Sequence, residues 1–486
     1  MLRTVADQPT LWEAILPDEL RRLPEELARV DALLDDPVFF TPFVPFFDPR
    51  MGRPSTPMET YLRLMFLKFR YRLGFESLCR EVSDSITWRQ FCRIGLDQPV
   101  PHPTTLMKLT TRCGSAAVDG LNEALLAKAA EAKLLRCTRV RVDTTVVPAN
   151  VAYPTDSGLL ARAVRRIAAT GRRIQAAGGA VRTRLRDRSR AAGRRAHDLN
   201  AKLRTRNAAQ KDAAFAQKDA ALEVVRRKNA ELAGLAETAA AEAERLLANA
   251  KRAMCAARKK AADLAASGGK DAAAGRRRRR LARAVNDLTE LVDATRRIPA
   301  QTRQRLSGMT PDGATRRVSL HDPDARPIAK GRLGKPVEFG HKAQVWYNDD
   351  GIVLDHDVQP GNPPDAPRLA PAVDRVKKRT KQTPRTVAAD RGYGEQAVDD
   401  DLHDLGVDDV VIPRKGRPGK ARQAHERRRT FRRHVKWRTG CEGRISTLKR
   451  GYGWDRTMID TTEGARIWTG HGVWAHNLVK ISALAG

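Results

Sequence analysis

Arg139-Val140-Arg141-Val142-Asp143-Thr144-Thr145-Val146-Val147 alternates polar and apolar residues with period two and is rich in β-branched side chains. That is the pattern of a β-strand. A strand that only packs has little use for a carboxylate in its middle, yet Asp143 sits there. Far downstream Arg385-Thr386-Val387-Ala388-Ala389 forms a second strand-like run that ends on Asp390. Further on, Glu442 lies in a stretch with helical spacing. The reading of the chain turns on whether these three acids meet.

The segments around them supply the topology. After Ala314, Arg317-Val318-Ser319-Leu320 alternates, and Val337 to Tyr347 alternates at greater length. Asn348-Asp349-Asp350-Gly351 reads as a turn, with Ile352 to Val358 pairing back as a hairpin. Pro363-Pro364-Asp365 opens a helix reaching roughly to Lys381, and Glu395 to Leu405 is a second. Asp408 to Pro413 is a last buried strand. Residues 414 to 433 read as a basic, glycine-containing loop, followed by a helical region that carries Glu442 and ends in Trp468 to Ile481. The succession is strand, strand, strand, helix, strand, helix, strand, helix, which predicts an α/β core of RNase H-like fold. In that order the first and fourth strands are neighbours, so Asp143 and Asp390 would emerge side by side.

Residues 1–135 read as an all-α N-terminal region. Pro37 to Pro49 suits a packed irregular segment. Leu62, Met65, Phe66 and Phe69 recur at helical spacing behind Pro57. Phe75, Leu78 and Val82 begin another helix after Gly74. Asp84-Ser85 and Pro103-Thr104-Thr105 read as caps. Short helices with tight breaks suit a helix-turn-helix-like DNA reader, and the pattern fits an ordinary bundle equally. The division expected is therefore 1–135, a first core strand in 136–156, a basic helical insertion over 157–314, and the rest of the core over 315–486.

With 486 residues the chain is too long for one compact core. Its formal charge of +33 calls for a polyanionic partner. Ser157 to Ala300 alone holds 35 Lys and Arg against 14 Asp and Glu, or 21 of those 33 charges. Proline is absent there until Pro299, and the glycine pairs Gly178-Gly179 and Gly268-Gly269 mark hinges between long helices of coiled-coil character. Arg276, Arg277 and Arg278 open an unbroken run of arginines that reads as a phosphate-tracking surface, the alternative being a solvated face. No apolar run is long enough for a bilayer, and the N-terminus lacks the layout of a signal peptide. Six cysteines without CxxC spacing predict reduced thiols in a cytoplasmic, nucleoid-associated protein.

Two-metal phosphodiester chemistry needs carboxylates around a pair of Mg²⁺ ions, which prefer hard oxygen ligands. Asp143, Asp390 and Glu442 have that character as a set. Asp355 and Asp357 are placed toward solvent, and Asp156 as a helix cap. Gly416-Arg417-Pro418-Gly419-Lys420 lacks phosphate-loop spacing, so no nucleotide cofactor is expected. Trp437 and Trp454 read as core packing before base stacking.

Asp390-Arg391-Gly392-Tyr393 after an apolar strand resembles the second-acid motif of bacterial insertion-sequence transposases of the DDE class. Arg438, Glu442 and Lys449 match their Arg-x3-Glu-x6-Lys signature, although Val435 stands where a Tyr is usual. Asp143-Thr144-Thr145-Val146-Val147 resembles their first-acid segment, and Gly52 to Leu106 their N-terminal helical region. The resemblance covers about 1–156 and 315–486. It implies binding of the element's terminal inverted repeats, Mg²⁺-dependent strand cleavage (Mn²⁺ standing in) and strand transfer to target DNA. It implies Asp143, Asp390 and Glu442 as catalytic metal ligands, with Arg438, Lys449, Arg391 and Arg444 on phosphates. A homodimer or higher assembly on paired ends is implied too. Arg438, Glu442 and Lys449 fall close to one face if one helix carries them. The competing reading is a catalytically inactive, domesticated descendant that only binds DNA; a third is a nuclease of the same fold without strand transfer.

Overall fold

The computed structural model describes residues 1–3, 16–209, 215–266, 272–332 and 335–485. Two compact units emerge, one of residues 1–150 with 328–486 and one of residues 151–327. The second begins a few residues before the expected Ser157 and runs past residue 314.

In the first unit the N-terminal helices are α1 (Asp18–Arg21), α2 (Glu25–Leu34), α3 (Met58–Arg70), α4 (Phe75–Asp84), α5 (Ile86–Phe91) and α6 (Pro103–Glu131). Pro37–Phe46 is a 3-10 helix with Phe39 and Phe43 buried. Pro57 precedes α3 as its N-cap, the Ser85 hydroxyl accepts from the Trp88 N–H, and His102 caps α6. These helices do not form a separate domain ending at residue 135. Their buried side chains run without a break into the core of the sheet. The reason lies in α3, which is buried almost all round, so one neighbouring layer cannot cover it. Its two buried basic side chains both find partners. Arg63 pairs with Asp31 of α2 and with Asp35 just after it, both at 2.6 Å, and Lys68 donates to the Leu73 carbonyl, five residues on, at 3.1 Å.

Burial holds the Lys68 amine down to about 7, from an ordinary 10.5. The unfolded chain therefore binds one more proton between those values, and stability should rise with pH across that window. Urea midpoints at pH 7 and pH 9.5 should rise for the wild type, and the rise should be smaller in Lys68→Met.

Strand β1 (Arg139–Pro148) follows α6. The helical unit then contributes α7 (Asp156–Ala176), α8 (Ser189–Ala209), α9 (Phe215–Ala266) and α10 (Ala272–Leu306). Its core is built on small and branched residues at three-four spacing, such as Leu232, Ala236, Ala240, Ala243 and Leu247 against Leu281, Leu288, Val292 and Ile298. That is the seam expected of packed long helices. Gly178-Gly179 lies in the turn after α7, while Gly268-Gly269 falls outside the described residues. Thr155, not Asp156, caps α7; Asp156 instead pairs with Arg305 at 2.9 Å. Arg317 to Leu320 forms no strand: its alternation reflects burial of Val318 and Leu320 and an Arg317 backbone N–H spent on the Gln301 side chain.

The chain completes the sheet with β2 (Arg326–Arg332), β3 (Lys335–Tyr347), β4 (Val353–Pro360), β5 (Thr386–Ala388) and β6 (Asp409–Val411). Strand order is β2-β3-β1-β5-β6, with β4 also on β3. β1 and β4 run antiparallel to β3, while β5 is parallel to both β1 and β6. The helices between and after these strands are α11 (Leu369–Thr380), α12 (Gln396–Asp404), α13 (Lys420–Arg427), α14 (Arg429–Arg438), α15 (Cys441–Gly451) and α16 (Thr461–Ala485).

Two expectations fail here. Residues 414–433 are largely helical: Arg422 satisfies the Ile412 carbonyl at 2.6 Å and Asp399 at 2.9 Å, and Phe431 packs on Ala388 and Val411. Asp355 is buried beneath Arg375 and Arg379, a fully paired carboxylate with no route to solvent.

Candidate active site

The parallel pairing of β1 with β5 matches residues 247 apart: Arg139 with Thr386, Val140 with Val387, Arg141 with Ala388. Carried two residues beyond the last pair, the same register sets Asp143 beside Asp390. Val140 and Val142 point into the core, while Asp143 retains 16% side-chain exposure. Asp143 Oδ1 accepts from the Thr144 N–H at 2.8 Å, and Oδ2 accepts from Arg438 at 3.2 Å. Burial pushes the Asp143 carboxyl up. The Arg438 guanidinium and the Thr144 N–H oppose that push, and the Asp390 charge adds to it.

Asp390 ends the strand in extended backbone and turns back to accept from the Gly392 N–H at 2.8 Å. Tyr393 anchors this short turn. Its ring is buried, and its hydroxyl accepts from Gln344 Nε2 at 3.0 Å. Gln344 pairs with Thr144 across β3 and β1, and its side-chain carbonyl oxygen accepts from the Trp346 indole at 3.3 Å. Burial and the nearby Asp365, Asp390 and Asp143 charges hold the phenol well above its ordinary value. Lys330 of β2 adds a positive charge near Asp143.

Arg438 is the last residue of α14 and Glu442 lies in the first turn of α15. The one-helix expectation fails because the chain turns at Thr439-Gly440. Arg141 lies against the break. Buried in β1, it donates to the Trp437 carbonyl at 2.7 Å and lies 4.6 Å from the Trp437 ring centre. A side chain at position 440 would stand 2.5 Å from the same guanidinium, so Gly440 keeps the break closed against Arg141. Glu442 is exposed, and among the described residues no three His, Cys, Asp or Glu side chains stand together as ligands for one ion.

The structure thus brings together Asp143, Asp390 and Arg438, and leaves Glu442 outside. The donor set fits a divalent cation in part. Two hard carboxylates lie close enough to raise one of them, and that mutual repulsion is what a cation relieves. The neighbouring Cys441 thiol is pushed up to about 12 by burial, so no thiolate competes.

Of the basic residues, Arg391 is exposed beside Asp390 and Lys449 is half-buried on α15. Arg444 is spent on structure. It donates to the Asp350 and Asp349 carbonyls at 3.2 and 3.1 Å, locking the β3–β4 turn. Trp454 is core, with Nε1 donating to the Thr469 carbonyl at 3.1 Å. Lys330, Arg141 and Gln344 escaped the sequence reading. Only Gln344, a lone amide between Ala343 and Val345, left a legible signal there.

Residues 16–112 match the model of a "Transposase domain (DUF772)", and residues 307–478 match that of a "Transposase DDE domain". A relative is the "Uncharacterized protein ORF8 in nfe locus" of Rhizobium meliloti, 28% identical over 147 residues that cover 29% of this chain and 70% of that protein. No solved structure matches the chain. A DDE domain has an RNase H-like core, in keeping with the mixed sheet and the helical region before it. Asp143 lies outside both matched spans, but its strand pairs with β3 and β5, both inside the second. Taken with this sheet, the two matches show that the chain belongs to the insertion-sequence DDE transposases, enzymes that cleave and transfer DNA strands.

Proposed function

We propose that this transposase recognises the terminal inverted repeats of its own element, nicks there and joins the freed 3′ end to target DNA, with Asp143 and Asp390 at the centre of the reaction. The observation that supports the reading is the β1–β5 register, which ends at the Arg141–Ala388 pair and, continued by two residues, leads to Asp143 and Asp390. Asp143 and Asp390 would hold Mg²⁺, or Mn²⁺ in its place, with Glu442 as the third carboxylate. Bound there, divalent cations lower the pKa of an attacking water and neutralise charge on the phosphodiester.

The chain's own residues do the positioning. Gln344 and Tyr393 fix the turn that aims Asp390. Arg438 opposes the upward push of burial on Asp143 in the resting site and, released from it, would meet the scissile phosphate with Lys449, Arg391 and Lys330. Copies of the chain would assemble on paired ends.

The test is nicking of supercoiled plasmid carrying the DNA that flanks this gene, with Mg²⁺ and with EDTA. End-specific nicks with joined products support the reading. Nicks without joining point to a plain nuclease, and end binding without nicks to a DNA-binding descendant. A second result should follow from the electrostatics. In Arg438→Gln the Asp143 carboxyl loses its main opposing charge and titrates higher still. The acid limb of the cleavage pH profile should therefore move to higher pH; an unmoved limb would show that Arg438 does not tune Asp143.

A further inference from the structure

The helical unit over residues 151–327 holds 40 Lys and Arg against 18 Asp and Glu, so 22 of the molecule's 33 net positive charges belong to it. The acids near the turn after α7 are already committed. Glu242 takes Arg188 in two bonds of 2.8 and 2.7 Å, Asp287 takes Arg173 at 3.1 Å, and Asp187 takes Arg172 at 2.7 Å. Among the described residues, two grooves of the unit are lined mainly by arginine. A groove of about 570 Å³ where α7 ends and α10 begins is lined by Arg173, Arg276, Arg277, Arg280 and Arg283 and by no carboxylate. A second, of about 350 Å³, is lined by Arg184, Arg186 and Arg245, with Glu242 as its acid.

One connecting segment, residues 177–188, joins the two. At its start the Gly178 backbone has φ +82°, and a Cβ there would stand 2.4 Å from Arg277. The bare glycine lets that guanidinium lie on the turn and donate to the Ala177 carbonyl at 3.0 Å. Further along, Thr183 turns inward to accept from Asn249 at 2.7 Å, and Leu185 packs toward Gly171. The intervening Arg182, Arg184 and Arg186 are exposed to solvent. Guanidiniums held this way repel one another and gather counterions. A phosphate backbone displaces those counterions and meets planar forks built for its oxygens.

Resting on the reading of the chain as a DNA transposase, we propose that this arginine band is a second DNA site: a sequence-independent seat for the sugar–phosphate backbone of duplex DNA, carried by the unit that lacks the carboxylate pair. It would hold flanking or target DNA while the other unit acts.

The test uses the full chain and a short duplex of unrelated sequence, with binding read by fluorescence anisotropy from 50 to 200 mM salt. Arg276→Gln/Arg280→Gln/Arg283→Gln removes three of the five arginines of the first groove and leaves Arg173 on Asp287 and Arg277 on its carbonyl. Arg258→Gln/Lys259→Gln/Lys260→Gln removes equal charge from exposed positions on α9. The groove variant should reduce the slope of log K against log salt by about 2.7, some 0.9 per lost phosphate contact, and the control by far less. Equal slopes in the two variants, or competition by polyglutamate as strong as by duplex at equal charge, would overturn the proposal. Nicking of an end-bearing plasmid by the groove variant at low salt checks the catalytic reading separately, since these residues lie in the unit without Asp143 and Asp390.

Discussion

Asp143→Asn and Asp390→Asn should each lower end cleavage by roughly a thousandfold or more, the scale on which single groups of a catalytic unit act. Both changes keep the shape of the side chain and remove the charge a cation would share. Asp143→Asn gives up the Arg438 ion pair, so its unfolding is measured beside its activity. The Thr144 and Gly392 N–H groups can donate equally to an amide oxygen. Removing a carboxylate also removes repulsion toward phosphate, so affinity for end DNA should hold or rise slightly. Gel-shift titrations beside single-turnover cleavage separate the two effects. The double variant should be no worse than either single one, because the acids act as one unit. Multiplying losses would mean that they serve separate steps.

Trp454→Ala should have the largest effect on stability, about 3–5 kcal/mol. The indole is fully buried, its N–H is satisfied by the Thr469 carbonyl, and Gly472 of α16 approaches so closely that a Cβ there would meet Nε1 at 2.9 Å. Its loss opens a cavity beneath the helix that closes the core and removes the indole hydrogen bond to the Thr469 carbonyl. Denaturant unfolding measures the effect. If Trp454 served a flipped base instead, the variant would unfold like the wild type and lose DNA affinity alone.

The elements that place the two acids were legible in the sequence because their signals are local. Period-two alternation around Asp143 and the apolar run into Asp390 each declare a strand. Their adjacency follows from strand order, and the register between them then needs no further information. Less legible was everything decided by a distant partner. The contact for which Gly440 leaves room is not legible locally, because Arg141 lies nearly 300 positions earlier. Residues 414–433 look like a charged loop until Arg422 finds the Ile412 carbonyl and Phe431 finds β5 and β6. Arg444 resembles a phosphate contact in sequence, and its real partners are two carbonyls of a turn. Asp355 looked exposed because its two arginines come from α11. The N-terminal helices looked separable for a related reason. Hydrophobic periodicity tells which face of α3 is apolar, whereas the burial of Arg63 and Lys68 depends on groups outside that helix.

The most direct test of the central claim, that two acids separated by a long helical insertion hold one divalent cation together, is Mn²⁺ uptake followed by the electron paramagnetic resonance of the free ion. The wild-type protein should take up Mn²⁺ saturably, and Asp143→Asn and Asp390→Asn should each lose that uptake while remaining folded. Uptake unchanged in either variant would contradict the account and release that acid from the site.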